Sequence, residues 1–114
     1  MTKKQFVPTR NASKRQEDKV AKLLRGNVQP NSGATSFMKG DVITDKMLIE
    51  CKTVMKPQTQ VTLKKEWFDV NEVEKFAMKK DYSAIAFDFG DNGKQYVAMD
   101  MQTFLNIVKY ETGL

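Results

Sequence analysis

The sequence contains no histidine, a single cysteine and no apolar run long enough to cross a bilayer. Without histidine there is no Ser–His–Asp triad, no Cys–His nucleophile and no histidine-ligated zinc. The lone Cys51 excludes an internal disulfide and a zinc site built from several cysteines, and it fits a reducing cytosol. Any catalysis must therefore use carboxylates, lysines, hydroxyl groups and a metal ion bound through oxygen.

No signal-peptide pattern follows Met1, because the opening TKKQFVPTR is basic but lacks an apolar core. We therefore expect a cytoplasmic protein without a membrane partner. A chain of 114 residues is long enough to bury one core without metals or disulfides. We predict a basic flexible arm over residues 1–12 and a single domain over residues 13–114.

Positive charge is concentrated at the N-terminal end of the chain. Residues 1–26 contain eight Lys/Arg and two acidic residues, whereas the rest contain eleven basic and twelve acidic residues. Such segregation is typical of a polyanion binder, and it also suits a solvated helix with a basic tail. Lys14 and Arg15 in this segment are candidates for contacts with a nucleic-acid backbone.

The first half of the chain predicts a helix, a loop and a hairpin. Ser13 and Gln16 form a capping-box pattern at the start of a helix over about 14–25. Turn-forming residues fill 27–40, which predicts a loop. The run DVITDKMLIECKT (41–53) then places strand residues on both sides of Asp45-Lys46.

The second half predicts three further strands and two helices. They are a third strand at QVTLK (60–64), a helix from Glu66 to Lys80, strands over 83–89 and 95–99 joined by a turn at 90–93, and a last helix capped by Asp100. The order α-β-β-β-α-β-β-α predicts an α/β fold with a central mixed sheet of about five strands flanked by helices. In such a sheet the central helix can connect parallel strands.

Two of the predicted helices carry an apolar side. The central helix brings together Phe68, Val73, Phe76 and Ala77, and the last helix brings together Met101, Phe104, Leu105 and Val108. Trp67, at the start of the central helix, is interpreted as a core residue rather than a platform on which bases stack.

The hairpin predicted over 41–53 brings two carboxylates together. With a two-residue loop at Asp45-Lys46, Asp41 lies directly opposite Glu50, and such pairs have Cβ atoms roughly 4.5–5.5 Å apart. A longer loop would shift this register by one residue, because Asp-Lys is not a favoured hairpin turn. The period of two also places Lys52 on the same face as Glu50.

A divalent cation would relieve the repulsion between these two carboxylates. Carboxylate oxygens suit Mg²⁺, which keeps waters and substrate phosphate in its coordination shell. The metal lowers the pKa of a bound water, and the Lys52 ammonium can orient that water or stabilise the transition state. The alternative is an exposed hairpin whose charges only favour solvation, since D-x₈-E-x-K is a loose pattern.

Glu17 is a further candidate, because it lies on the inward stripe of the first helix with Val20 and Leu24. An acid in a first turn also suits the helix dipole. Ser32 in the 27–40 loop could contact a phosphate, and so could Lys56 and Lys64 near the strand ends. Each of these residues could equally be an ordinary surface residue.

Together the runs SKRQEDKVAKLL, QPNSGA, KGDV, LIECKT and LKKEWF resemble the small Holliday junction resolvases of archaea and their phage relatives, a PD-(D/E)xK nuclease family. The resemblance covers about residues 12–100, and the order of the motifs is more specific than any one of them. Gly40 stands where the motif's name has proline. The C-terminal helix lies beyond the matched part.

The resemblance implies a restriction-endonuclease-like core and a homodimer that nicks two strands of a four-way DNA junction symmetrically, using Mg²⁺ or Mn²⁺ and no small-molecule cofactor. Asp41 and Glu50 match metal ligands, and the backbone carbonyl of Cys51 commonly joins them. Lys52 matches a catalytic lysine, and Glu17 matches an acid on the first helix. Ser32 matches a serine in a mobile loop near the DNA. Lys64, a looser match, falls where archaeal members place a functional lysine.

We therefore expect a Mg²⁺-dependent junction-resolving DNA endonuclease from a bacterial, archaeal or phage source. Two alternatives remain open at this point. One is a repair nuclease that cuts flaps, nicks or plain duplex with the same active site. The other is a basic nucleic-acid-binding module without catalysis, for which clustered acids close to phosphates would be a disadvantage.

Overall fold

The computed structural model describes residues 9–29, 40–90 and 93–112, and side chains within 13–29, 41–90 and 93–109. Three helices and five strands alternate along these residues. They are α1 (Thr9–Leu24), β1 (Asn27–Val28), β2 (Gly40–Ile43), β3 (Met47–Lys52), α2 (Lys65–Ala77), β4 (Tyr82–Phe87), β5 (Tyr96–Ala98) and α3 (Met101–Thr112).

The five strands form one sheet in the order β1-β2-β3-β4-β5. β3 and β4 are parallel, and the other neighbours are antiparallel. Parallel neighbours need a crossover connection, and α2 lies in the segment that makes it. The predicted α/β architecture with a mixed five-stranded sheet is therefore confirmed.

The hairpin of β2 and β3 has the predicted register. Asp41 pairs with Glu50, and Ile43 pairs with Leu48. The Thr44 hydroxyl accepts a hydrogen bond from the backbone N–H of Met47 at 3.1 Å, which closes the turn. This side-chain contact makes up for a turn sequence that is not among the favoured ones, and it prevents the one-residue shift.

One of the five predicted strands is absent and one of the five observed strands was not predicted, although the order of elements is the same. The segment 60–64 is not a strand, because β3 already pairs with β2 on one side and with β4 on the other. Val61 and Leu63 are half-buried without pairing. The missing strand is replaced by β1, within the predicted loop, where Asn27 and Val28 pair with Ile43 and Val42.

The first helix begins earlier than its capping-box pattern predicted. α1 starts at Thr9, so the predicted arm of residues 1–12 overlaps the helix, and its first eight residues lie outside the described part. Gln16 does not cap the helix, because its side chain is completely buried. The helix ends near Gly26 as predicted, where an added Cβ would lie 2.5 Å from the Ile43 carbonyl oxygen.

The last helix is capped as predicted, since the backbone N–H of Thr103 donates to Asp100 Oδ1 at 2.7 Å. The predicted turn at 90–93 includes residues 91 and 92, which lie outside the described residues. No helix of the described residues is both long enough and apolar enough to span a bilayer.

The helices α1 and α2 cover opposite faces of the sheet. On the α1 face the core consists of Val20, Ala21, Val42, Ile49, Cys51, Ala84 and Ala86. Successive side chains of a strand alternate between faces, so Leu48, Glu50 and Lys52 of β3 point to the other side. Trp67 of α2 lies against Lys52 on that side.

Candidate metal and nuclease site

Two acidic side chains lie side by side where β2 and β3 pair. Asp41 and Glu50 are directly opposite in the ladder, and they are only 8% and 6% exposed. The neighbouring Leu48 and Ile85 are completely buried, so the carboxylates border an apolar interior. Burying such charges costs several kcal/mol per ion unless a partner offsets it.

A third carboxylate reaches the same place from α2. One oxygen each of Asp41, Glu50 and Glu74 lie within 4.8 Å of one another. Glu74 is half-buried, and its residue position was not among the sequence-based candidates. The sequence did contain a pattern that could have indicated Glu74. Residues 67, 71, 74 and 78, which are Trp, Asn, Glu and Met, share one side of a helix.

The side of α2 that faces the sheet is therefore partly polar. Asn71 is 2% exposed and donates to the carbonyl oxygen of Ala84 at 3.1 Å. In contrast, Val73 and Phe76, which the apolar pattern brought together, are exposed. The helix thus turns its polar residues toward the acidic cluster.

Lys52 lies beside the three carboxylates. Its Nζ lies 3.3 Å from Glu50 Oε2, and its side chain is 30% exposed, so the ammonium reaches both the cluster and the solvent. The same Nζ lies 4.3 Å from the centroid of the Trp67 ring. Trp67 is half-buried and lies in the first turn of α2, with its backbone N–H donating to the Lys64 carbonyl oxygen at 3.0 Å.

The donor set suits a hard divalent cation. Three carboxylates offer only oxygen ligands, and Mg²⁺ or Mn²⁺ prefer such ligands over nitrogen and sulfur. Three anionic groups this close repel one another, and a bound cation removes that repulsion. The residues present therefore fit the metal that the sequence predicted, with Glu74 added to Asp41 and Glu50.

Cys51 and Glu17 lie apart from this cluster. Burial raises the pKa of the Cys51 thiol, and the negative charges of Glu17, Asp41 and Glu50 raise it further. The thiol packs in the core on the α1 face, whereas the predicted role of Cys51 concerns its backbone carbonyl and stays a prediction.

Glu17 is not one of the three residues whose oxygens meet within 4.8 Å. Burial raises its pKa, as does the neighbouring Asp18, while Lys14 lowers it. Its charge nevertheless acts on the thiol of Cys51, the residue that follows Glu50 in β3. Its predicted role in catalysis stays a prediction.

A buried polar network joins α1 to the strand ends. The Gln16 amide donates to the Ala86 carbonyl oxygen at 3.3 Å and to Gln95 Oε1 at 3.0 Å, and it accepts from the Thr53 hydroxyl at 2.7 Å. Gln95 in turn donates to Asp88, which is 2% exposed, at 2.8 Å. This network fixes α1 beside the residue that follows Lys52.

The predicted DNA-contacting residues are distributed over the surface. Lys14 and Arg15 are exposed on α1, and Lys56 and Lys64 are exposed in the connection from β3 to α2. Ser32 lies outside the described residues.

Comparisons of the chain with protein-family models, with curated proteins and with solved structures found no match.

Proposed function

We propose that this chain is a metal-dependent, structure-specific DNA endonuclease that resolves four-way junctions by paired nicks. The observation that carries the proposal is the meeting of Asp41, Glu50 and Glu74 within 4.8 Å, with the Lys52 ammonium 3.3 Å from Glu50. The mixed sheet is compatible with a restriction-endonuclease-like core. The four side chains provide what phosphodiester hydrolysis with a divalent cation requires.

The chemistry divides among these residues. Asp41, Glu50 and Glu74 would hold Mg²⁺ or Mn²⁺, which would lower the pKa of a water molecule and offset charge on the phosphate. Lys52 carries the positive charge beside the cluster, where its ammonium orients the attacking water or stabilises the phosphorane-like transition state. A binding module without catalysis has no use for buried carboxylates near a phosphate.

Paired nicks require two active sites, so the proposal includes a homodimer. One side of α3 suits a second copy of the chain, because Met101, Phe104 and Leu105 share that side and are exposed. Exposed apolar side chains are typical of the centre of a symmetric interface.

A gel assay tests the proposal. A labelled synthetic four-way junction and a linear duplex of matched sequence are incubated with the protein in Mg²⁺ or in EDTA. Symmetric, Mg²⁺-dependent nicking of the junction alone supports a resolvase. Cutting of the linear duplex at the same rate assigns the site to a general repair nuclease, and binding without cutting refutes catalysis.

We predict that Asp41→Ala and Lys52→Ala reduce junction cutting roughly 100- to 1000-fold, because the first removes a proposed metal ligand and the second removes the positive charge that would act in the transition state. Junction affinity should remain within a few-fold, since neither residue is needed to hold the DNA backbone. The hairpin provides matched controls at its other end, where Asp45→Ala and Lys46→Ala alter exposed side chains. Wild-type cutting by Asp41→Ala or Lys52→Ala would refute the site.

A further inference from the structure

The aromatic ring beside Lys52 is the only tryptophan of the chain. Its centroid lies 4.3 Å from Lys52 Nζ, the distance at which an ammonium is attracted to the negative face of an indole. The sheet and α2 determine this contact together. β3 directs Lys52 to the α2 face, and the first turn of α2 directs Trp67 back toward it.

The Trp67 ring offers a second way to hold Lys52 in place when a metal binds at the proposed site. A lysine side chain has four flexible bonds and must be held for its ammonium to act at one position. In the present geometry Glu50 holds it through an ion pair of 3.3 Å. Glu50 is also a proposed metal ligand, so a divalent cation competes with Lys52 for the same negative charge.

An indole ring does not take part in that competition. It carries no net charge, so it is a poor ligand for a hard cation, and it occupies none of the three N–H donors of the ammonium. Those donors stay available for a water or a phosphate oxygen. Of the two groups that hold Lys52 in place, the ring is therefore the one that a bound metal leaves unchanged.

We propose that Trp67 is a positioning residue, which keeps the Lys52 ammonium at the acidic cluster when metal is bound. This inference rests on the proposed function, because it assigns Lys52 its role in the cut. It differs from two ordinary roles of a half-buried tryptophan, which are filling space and stacking on a DNA base.

The test compares Trp67→Leu and Trp67→Phe. Leucine keeps an apolar side chain but removes the ring, whereas phenylalanine restores a ring with a weaker attraction for the ammonium. Phe76→Leu is the matched control, because Lys75 Nζ lies 5.2 Å from that ring and Phe76 is exposed at the far end of the same helix. Melting temperatures show whether each variant is folded.

Single-turnover cutting and junction binding separate the three roles. We expect Trp67→Leu to lower the cutting rate at saturating metal and DNA about 5- to 30-fold, with an unchanged dissociation constant. Trp67→Phe should recover most of the rate, and Phe76→Leu should cut like the wild type. Cutting by Trp67→Leu at the wild-type rate overturns the proposal. So does a loss of binding as large as the loss of rate, which indicates base stacking.

A second measurement does not depend on cutting and separates this inference from the proposed function. The ε-methylene protons of Lys52 should be shifted upfield in the NMR spectrum by the ring current of Trp67, with and without Mg²⁺. The shift should disappear in Trp67→Leu. If Mg²⁺ alone abolishes the shift in the wild type, the ring does not hold the lysine and the inference is wrong, whether or not the protein cuts DNA.

Discussion

The three clustered carboxylates belong to different parts of the chain, and each is brought to the cluster in a different way. Strand pairing places Asp41 opposite Glu50, and the crossover helix adds Glu74. Their mutual repulsion costs free energy that a bound divalent cation would recover. The pair Asp41 and Glu50 could be predicted from the period of a strand. Glu74 was missed, because α2 has an apolar side as well as the side that carries residues 67, 71, 74 and 78, and packing on the sheet decides which of them faces inward.

Glu74→Gln provides the first test at this scale. Removing one of three anionic ligands should weaken Mn²⁺ binding, measured by calorimetry, about tenfold or more. The metal-free protein should at the same time become more stable, because less repulsion remains. Glu72→Gln is the control, since Glu72 lies two residues away and pairs with Lys75 at 2.6 Å. Equal decreases of affinity in both variants would exclude Glu74 as a ligand.

Glu17 makes the stability of the fold depend on pH. Burial raises the pKa of its carboxyl group above the ordinary value of 4.5. A raised pKa means that folding favours the protonated form. The free-energy cost of burying the ionised carboxylate is therefore absent below pH 4.5, and it appears as the pH rises through the folded-state pKa. Glu17→Gln should be more stable than the wild type in urea unfolding at pH 7, and the difference should vanish in acid. Glu66→Gln is the exposed control, and a less stable Glu17→Gln at pH 7 would contradict this account.

At the scale of the elements, α1 is held on the sheet by polar as well as apolar contacts. Gln16 occupies a completely buried position in the middle of the helix and bonds to Thr53, Ala86 and Gln95. These partners come from the ends of two strands and the connection before β5. The helix therefore depends on the connections at the carboxyl ends of β3 and β4.

Gln16→Leu should lower the free energy of unfolding by about 1–3 kcal/mol, because it leaves buried polar groups without partners. Gln16→Glu should also destabilise, since it removes the donor to the Ala86 carbonyl and buries a charge. Urea unfolding at neutral pH measures both. Arg15→Leu alters the adjacent exposed position and serves as the control. Unchanged stability in both Gln16 variants would show that the network contributes nothing.

The elements that the sequence predicted well are those with a local cause. The β2–β3 register follows from alternation and a short turn, and the cap of α3 follows from Asp100. The predicted strand at 60–64 had alternation, but β3, the strand before it in the chain, is already paired on both sides. The two-residue β1 is too short to show a period, so only the completed sheet determines it.

At the scale of the whole molecule, the basic side chains of α1 and the acidic cluster lie on different faces of the sheet. α1 presents exposed basic side chains, including Lys14 and Arg15, on the face of the sheet opposite α2. The acidic cluster lies beneath α2. A DNA backbone held by α1 would thus be recognised separately from the site that cuts it, so binding and cutting should be separable by mutation.

Salt dependence tests this separation. The basic set to be changed to glutamine is Lys14, Arg15, Lys19 and Lys22. In a plot of the logarithm of junction affinity against the logarithm of salt concentration, the slope should then become less steep. The decrease should be about 0.9 for each phosphate that the protein no longer neutralises. The control set, exposed lysines elsewhere, is Lys65, Lys79, Lys94 and Lys109. If both sets lower the slope equally, α1 is not the DNA-binding element.

The order of strands in the sheet has a consequence for synthesis of the chain. Because spatial order and chain order are the same, each strand that leaves the ribosome finds its neighbour already made. The sheet can grow by addition at one edge, without waiting for a later strand to insert. The acidic cluster, in contrast, is complete only once residue 74 has emerged and α2 has crossed over. A nascent chain can therefore build its sheet strand by strand from one end, whereas the acidic cluster forms in one step, when α2 packs against the sheet.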